Sequence, residues 1–352
     1  MVRLLGWPLV GLGLVGAIAA CQAAPPDAFR TSPPDLARPA APEVPPPAEF
    51  VPGPAPLAFA RADQTRPPWH GQREIAGMAP VRSYPATYHG DLDVSQLAMV
   101  GQNLYTVDGA LYQVPVASGS WQPVSAVRRQ DLTALASDGE HLFLGTRAGD
   151  LVGYDPRYQS VGQLGQLGSG VSAVRVGPSG LVAGTLGAGV VEVPFKTGSS
   201  CPLQSDPAAR QVLDVAIGKK VAYSLGDRVY TWPLDGTPGH AVPGTEGATS
   251  LTSYQGNLFV GTADGWLLCS QDDGNTVYPL ADVQPTPLSV LGTDGAWLYA
   301  GSGNSTYMLN LKNGATSLCH PGFAAPVTNL TVLNGAEVLV GTQGKGLTWM
   351  PR

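Results

Sequence analysis

Charge is scarce in this chain. Asp, Glu, Lys and Arg make up only 13% of 352 residues, about half the usual share, and 20 basic against 26 acidic residues leave a net charge of −6. Such a weakly acidic surface excludes the basic footprint of a nucleic-acid partner. Aromatic residues are also few, at 7%, and there are only 4 cysteines and 5 histidines. No apolar run reaches the roughly 20 residues that span a bilayer as a helix. What abounds instead is punctuation: 45 Gly and 33 Pro. That composition excludes a helical bundle and supplies the turns that many short strands require.

The first residues form an address. Met1-Val2-Arg3 brings one positive charge, Leu4 to Ile18 is apolar, and small residues lead to Cys21. An apolar core this short reads as a secretion signal over residues 1–20. Ile18-Ala19-Ala20-Cys21 resembles the lipobox of bacterial lipoproteins. That resemblance implies acylation of Cys21, cleavage before it, and an anchored mature protein, since each buried CH₂ contributes about 0.8 kcal/mol. By the same resemblance, Gln22 rather than Asp after the cysteine implies, as in enteric lipoproteins, the outer membrane, facing the periplasm or the cell surface. Residues 21–80 are Pro/Ala-rich, with no helical or alternating period, and read as a disordered tether. Taken over about 59 residues, a coil averages about 40 to 45 Å and an extended polyproline form about 180 Å. Arg38, Pro39, Pro42 and Pro45 form one run of the kind that aromatic grooves bind, set within this linker.

A period of about 40 residues fills 81–352. A small-residue step follows an apolar run at Tyr105-Thr106, Gly145-Thr146, Gly184-Thr185, Tyr223-Ser224, Gly261-Thr262, Gly301-Ser302 and Gly341-Thr342. Glycines at 101, 139, 180, 218, 256, 295 and 335 mark a turn before each run, often as Asp-Gly, Gln-Gly or Asn-Gly, dipeptides that suit hairpin turns. A third Gly phase marks a further hairpin. Three turns per period separate four strands, which makes the unit one propeller blade and the whole a seven-bladed β-propeller of four-stranded antiparallel blades. The seventh repeat stops after three strands, so the segment Arg82 to Tyr88 is expected to supply the missing strand and latch the ring.

This repeat resembles the broad WD-repeat, YVTN and BNR propeller families, without the recurring His-Gly and Trp-Asp pairs of true WD repeats. Ser270, Asp272, Gly274 and Thr276 match the Asp-box of BNR propellers, whose implied role is to hold a turn. Asp-boxes also occur in sialidases, but the Arg-Ile-Pro motif of those enzymes is absent here, as is the paired tryptophan-docking motif of quinoprotein propellers. No nucleophile elbow occurs, the histidines are isolated in sequence, and no catalytic residue, metal site or cofactor is expected. Cys201, Cys269 and Cys319 are an odd set: either Cys269 pairs with Cys319 or all three are free thiols. The tryptophans at 121, 232, 266, 297 and 349 read as inter-blade packing.

The loops that enter the inner strands gather at one mouth of a propeller. Three of them are polar, around His320, His89 and Arg128-Arg129, and Arg210 lies across the ring. They are expected either to be solvated loops or to form a partner-docking arc, since Arg is favoured at interfaces. The resulting expectation is a membrane-anchored envelope lipoprotein that binds or scaffolds another cell-envelope protein. The alternatives are a periplasmic hydrolase or lyase acting on glycan or a small lactone, and a small-molecule sensor.

Overall fold

The computed structural model describes residues 92–115, 121–196, 198–203, 206, 208–283, 286–320, 322–333 and 337–351. Within them the chain is all-β, and no helix occurs among the described residues. Seven antiparallel sheets, one per repeat, follow one another around a central channel. Their inner strands are Leu97–Val100, Leu132–Ser137, Val171–Val176, Asp214–Ile217, Ala248–Tyr254, Val290–Thr293 and Val327–Leu333. In blade 5, strands Ala248–Tyr254, Asn257–Thr262, Trp266–Ser270 and Tyr278–Asp282 pair in sequence order from channel to rim.

Five sheets have four strands and two have three among the described residues. In blade 4 the outer position is occupied by a short segment: Tyr230 bridges Ala241, and the Val242 amide donates to the Val229 carbonyl at 2.8 Å. Pro238 and Pro243 flank this segment and remove ladder donors, so a longer strand cannot form. In blade 7 the rim strand described is Gly346–Pro351. The expected latch, Arg82 to Tyr88, lies outside the described residues.

The core sits between blades rather than within them. Ala98, Tyr105 and Leu111 of blade 1 pack with Leu135, Leu142 and Leu144 of blade 2, and the last seam joins Leu339 and Leu347 of blade 7 to Val94, Leu104 and Val114 of blade 1. Each Leu or Val buried this way contributes about 1.5–3 kcal/mol. Second strands carry most of that burial; every residue of Leu142–Thr146 is buried, whereas the rim strand Ser160–Gln166 is mostly exposed.

The small-residue step now has a physical cause. A Cβ on Gly145 would lie 2.4 Å from Val171 Cγ1 of the next blade, and one on Gly184 would lie 2.5 Å from Val212 Cγ1. Glycine is required because the next blade's apolar anchor rests on the strand backbone. The hydroxyl that follows holds the next turn: Thr185 Oγ1 donates to the Gly189 carbonyl at 2.8 Å, and Thr342 Oγ1 to that of Gly346 at 2.9 Å. Hydroxyls also stitch neighbouring blades. Thr249 Oγ1 donates to the Leu288 carbonyl at 2.8 Å, Ser289 Oγ to that of Val327 at 3.1 Å, and Thr328 Oγ1 to that of Val94 at 2.7 Å.

Candidate functional site

Two places combine exposure with unusual chemistry: one mouth of the ring and the channel wall. Backbone bonds tie the turn between second and third strands to the entry of the same blade's inner strand. The Arg147 amide donates to the Asp131 carbonyl at 2.8 Å, and that of Leu186 to Gly170 at 2.9 Å. These turns and entries therefore form one loop face.

The arginines of that face differ in availability. Arg128 and Arg210 are exposed and make no ion pair among the described residues. Arg129 is held instead: its Nη1 donates to Asp150 Oδ2 at 2.8 Å and lies 3.8 Å from Asp131 Oδ1. His89 lies outside the described residues. His320 ends the rim strand of blade 6, paired with Thr306. Arg128 and Arg129 thus stand at the entry of blade 2, Arg210 at the entry of blade 4 and His320 at the end of the blade 6 rim strand.

What the fold gathers lies farther round, on blades 2 to 4. Leu186 and Leu213 are 48% and 53% exposed, although each adjoins a buried strand. The Val212 amide donates to the Thr185 carbonyl at 2.9 Å, and that of Gly189 to Arg210 at 3.0 Å, so the Leu186 turn abuts the entry of blade 4. On the other side, a Cβ on Gly170 would touch both the Arg147 carbonyl, at 2.7 Å, and Leu186 Cδ1, at 3.6 Å. Arg147 is exposed and, like Arg210, has no carboxylate partner among the described residues. Sequence reasoning missed Leu186, Leu213 and Arg147, because a single exposed leucine in a strand-rich sequence carries no mark of its exposure.

The channel has a volume of about 840 Å³ and is lined by the inner strands of all seven blades. Its wall is mostly hydroxyl and aliphatic, and two charged residues lie on it, Arg175 and Asp214. Arg175 Nη2 donates to Asp214 Oδ1 at 2.8 Å across the seam between blades 3 and 4, with the side chains 38% and 34% exposed. Arg175 Nη1 also donates to the Val174 carbonyl at 3.0 Å, and the Val215 amide donates to Asp214 Oδ1 at 2.8 Å. On blade 1, Gln96 Oε1 accepts from the Leu135 amide at 2.6 Å, while its Nε2 donates to the carbonyls of Thr133 and Ser172 at 3.3 and 3.4 Å. One amide side chain thereby spans three blades.

The Asp-box segment is a self-contained turn on the opposite face. Thr276 donates to Asp272 through its amide at 2.9 Å and its hydroxyl at 2.6 Å; Ser270 Oγ donates to Asp272 Oδ1 at 2.9 Å and accepts from the Gly274 amide at 3.0 Å. Burial alone would raise the Asp272 carboxyl, but the bonds from Thr276 and Ser270 outweigh it and hold it below the ordinary carboxylate value. Gly274, at φ +87°, rests against Thr231 of blade 4.

Cys269 and Cys319 are free thiols, so the two do not pair. Burial pushes the Cys269 and Cys319 thiols up to about 12, which removes them from nucleophilic chemistry. Cys21 lies outside the described residues. Among the tryptophans, Trp232 is buried between blades with its Nε1 donating to Ser224 Oγ at 2.7 Å, and Trp121 and Trp297 pack partly buried against inter-blade cores. No cluster of three His, Cys, Asp or Glu side chains arranged to hold a metal occurs among the described residues.

No protein-family model matches the chain, and no curated protein matches it in sequence. Solved structures do. The computationally designed Ika8 protein is similar with a TM-score of 0.55 and 15% identity, over 75% of this chain and 98% of that one. The extracellular domain of the putative hybrid two component system BT4673 from B. thetaiotaomicron is similar with a TM-score of 0.61 and 13% identity, over 74% of this chain. The match spans only 38% of that extracellular domain. At these identities the likeness is one of fold.

Proposed function

We propose that this chain is a lipid-anchored envelope protein that binds another cell-envelope protein through its loop face. The observation that carries the reading is the pairing of exposed Leu186 and Leu213 on adjoining blades, flanked by Arg147 and Arg210. Buried apolar anchors rimmed by unpaired arginines are the make-up of a protein interface, and the complementary surface presents apolar side chains ringed by carboxylates. Arg128 extends the basic rim toward blade 2. Anchorage through Cys21 and a long tether lets the domain reach a partner away from its own membrane. Extracellular placement of a domain with the same fold supports this location. The hydrolase alternative draws less support: paired carboxylates are the usual requirement for glycan hydrolysis, and Asp214, the carboxylate on the channel wall, is tied to Arg175.

Site-specific photocrosslinking in the native cell tests the reading. A photoreactive residue at Leu186 or Leu213 is expected to give the same discrete adduct, and one at Tyr158, 80% exposed on the opposite face, to give none of that mass. Arg147→Ala with Arg210→Ala is expected to abolish the adduct. Equal adducts from both faces, or none from either leucine, would overturn the assignment.

A further inference from the structure

We propose that the channel wall between blades 3 and 4 is a binding site for a free α-amino acid with an apolar side chain, its carboxylate on Arg175 and its ammonium on Asp214. This goes beyond the loop-face reading. The two sites share Leu213, so the tests separate them through Leu186 with Arg147 and Arg210 for the protein partner and through Arg175 and Asp214 for the amino acid.

The first support is the departure of these residues from the repeat. The position of Arg175, opposite Val182, is held in five other blades by Val100, Ala136, Thr252, Gly292 and Thr331. None of them is charged, so the ring closes without a cation there. Asp214 sits at the entry of blade 4, which, like blades 1 and 6, pairs its inner strand without the register shift seen in blades 2, 3, 5 and 7, and it pairs with Leu225. What recurs from blade to blade is what the architecture needs, and this pair does not recur.

The second support is chemical. Asp214 Oδ1 takes both the Arg175 and the Val215 bonds, which leaves Oδ2 to the channel. Arg175 uses Nη1 and Nη2 for one bond each, and the rest of its five N–H donors stay available. The two edges lie side by side on a wall with no other charge among the described residues. A simple anion would meet Arg175 with Asp214 beside it, and a simple cation the reverse; either gains little, since the opposing charge stands within 2.8 Å of its partner. A zwitterion satisfies both at once with no net charge brought into the channel. Leu213, Leu225 and Val176 also line the channel near the pair and give the side chain an apolar surface. The wall residues among those described include no aromatic ring on which a sugar face could stack.

Isothermal titration of the detergent-solubilised lipoprotein tests this with L-leucine and L-phenylalanine as probes, against N-acetyl-L-leucine, L-leucinamide and glucose. At least one free amino acid is expected to bind, with the acetylated and amidated leucines at least tenfold weaker than leucine. Asp214→Asn is expected to weaken binding at least tenfold without changing the thermal melt. If that variant melts early, the comparison of derivatives on the unaltered protein decides. Absence of heat with both amino acids, equal affinity for leucine and either derivative, or saturable binding of glucose alone would overturn the proposal.

Discussion

Thr328 donates its hydroxyl to the carbonyl of Val94 at 2.7 Å, joining residues 234 positions apart in the chain. Asn329 Nδ2 adds a bond of 3.2 Å to the Ser95 carbonyl beside it. The last blade therefore grips the first through the same hydroxyl-to-carbonyl contact that links blade 5 to 6 and blade 6 to 7. Thr328→Val keeps the shape and leaves the Val94 carbonyl without this donor, so urea melts are expected to show a loss of about 1–2 kcal/mol. No measurable change would mean that the apolar contacts of Val94, Leu339 and Leu347 hold the seam alone.

The repeat count leads to the expectation that residues 82–88 complete blade 7; they lie outside the described residues, and deletion tests it. Deleting residues 22–75 is expected to leave melting unchanged, whereas deleting 22–90 exposes the edge of Gly346–Pro351 and produces aggregation or a much lower melt. Equal melting of two monomeric products would remove the latch from blade 7.

Gly184→Ala places a methyl 2.5 Å from Val212 Cγ1 and 2.8 Å from Val215 Cγ2. A loss of about 1–3 kcal/mol is expected from this overpacking. Gly165→Ala, where a Cβ meets nothing within 4 Å, serves as the control and is expected to be neutral or slightly stabilising. Chemical denaturation of the pair separates seam packing from any general cost of replacing glycine.

The depressed Asp272 carboxyl makes stability fall in acid. Its folded pKa is below the unfolded value near 3.9, so its contribution is complete above that value and disappears as pH falls through the folded one. Asp272→Asn is expected to cost about 1 kcal/mol at neutral pH and to flatten the decline of stability as pH falls below about 4. An unchanged acid limb would show that Asp138, Asp227 and Asp235, whose carboxyls are also depressed, carry the effect.

Cys21→Ser is expected to yield a folded, secreted protein released from washed membranes, with the unaltered protein retained. Fractionation of cells that also lack the crosslinked partner checks this, since a bound partner would otherwise hold the variant in place. Retention at the original level in such cells would contradict lipid anchorage.

The period, the hairpin turns and the seven-blade count were legible in the sequence because each depends on local chemistry. Dipeptides such as Gln255-Gly256 take positive φ, alternation sets which side chains turn inward, and the Gly-Thr step repeats wherever a neighbouring blade presses on a strand. Tyr105 and Tyr223 stand where the other blades have glycine, and both blades also enter their inner strand without the register shift seen in blades 2, 3, 5 and 7. Only closure of the ring decided the rest. It set Arg129 against Asp150, left Arg128, Arg147 and Arg210 without carboxylates among the described residues, brought Leu186 to the entry of blade 4, and placed Arg175 on Asp214, 39 residues away. Those meetings join different repeats, and the distance between repeats in space is fixed by the curvature of the whole ring, which no single repeat encodes.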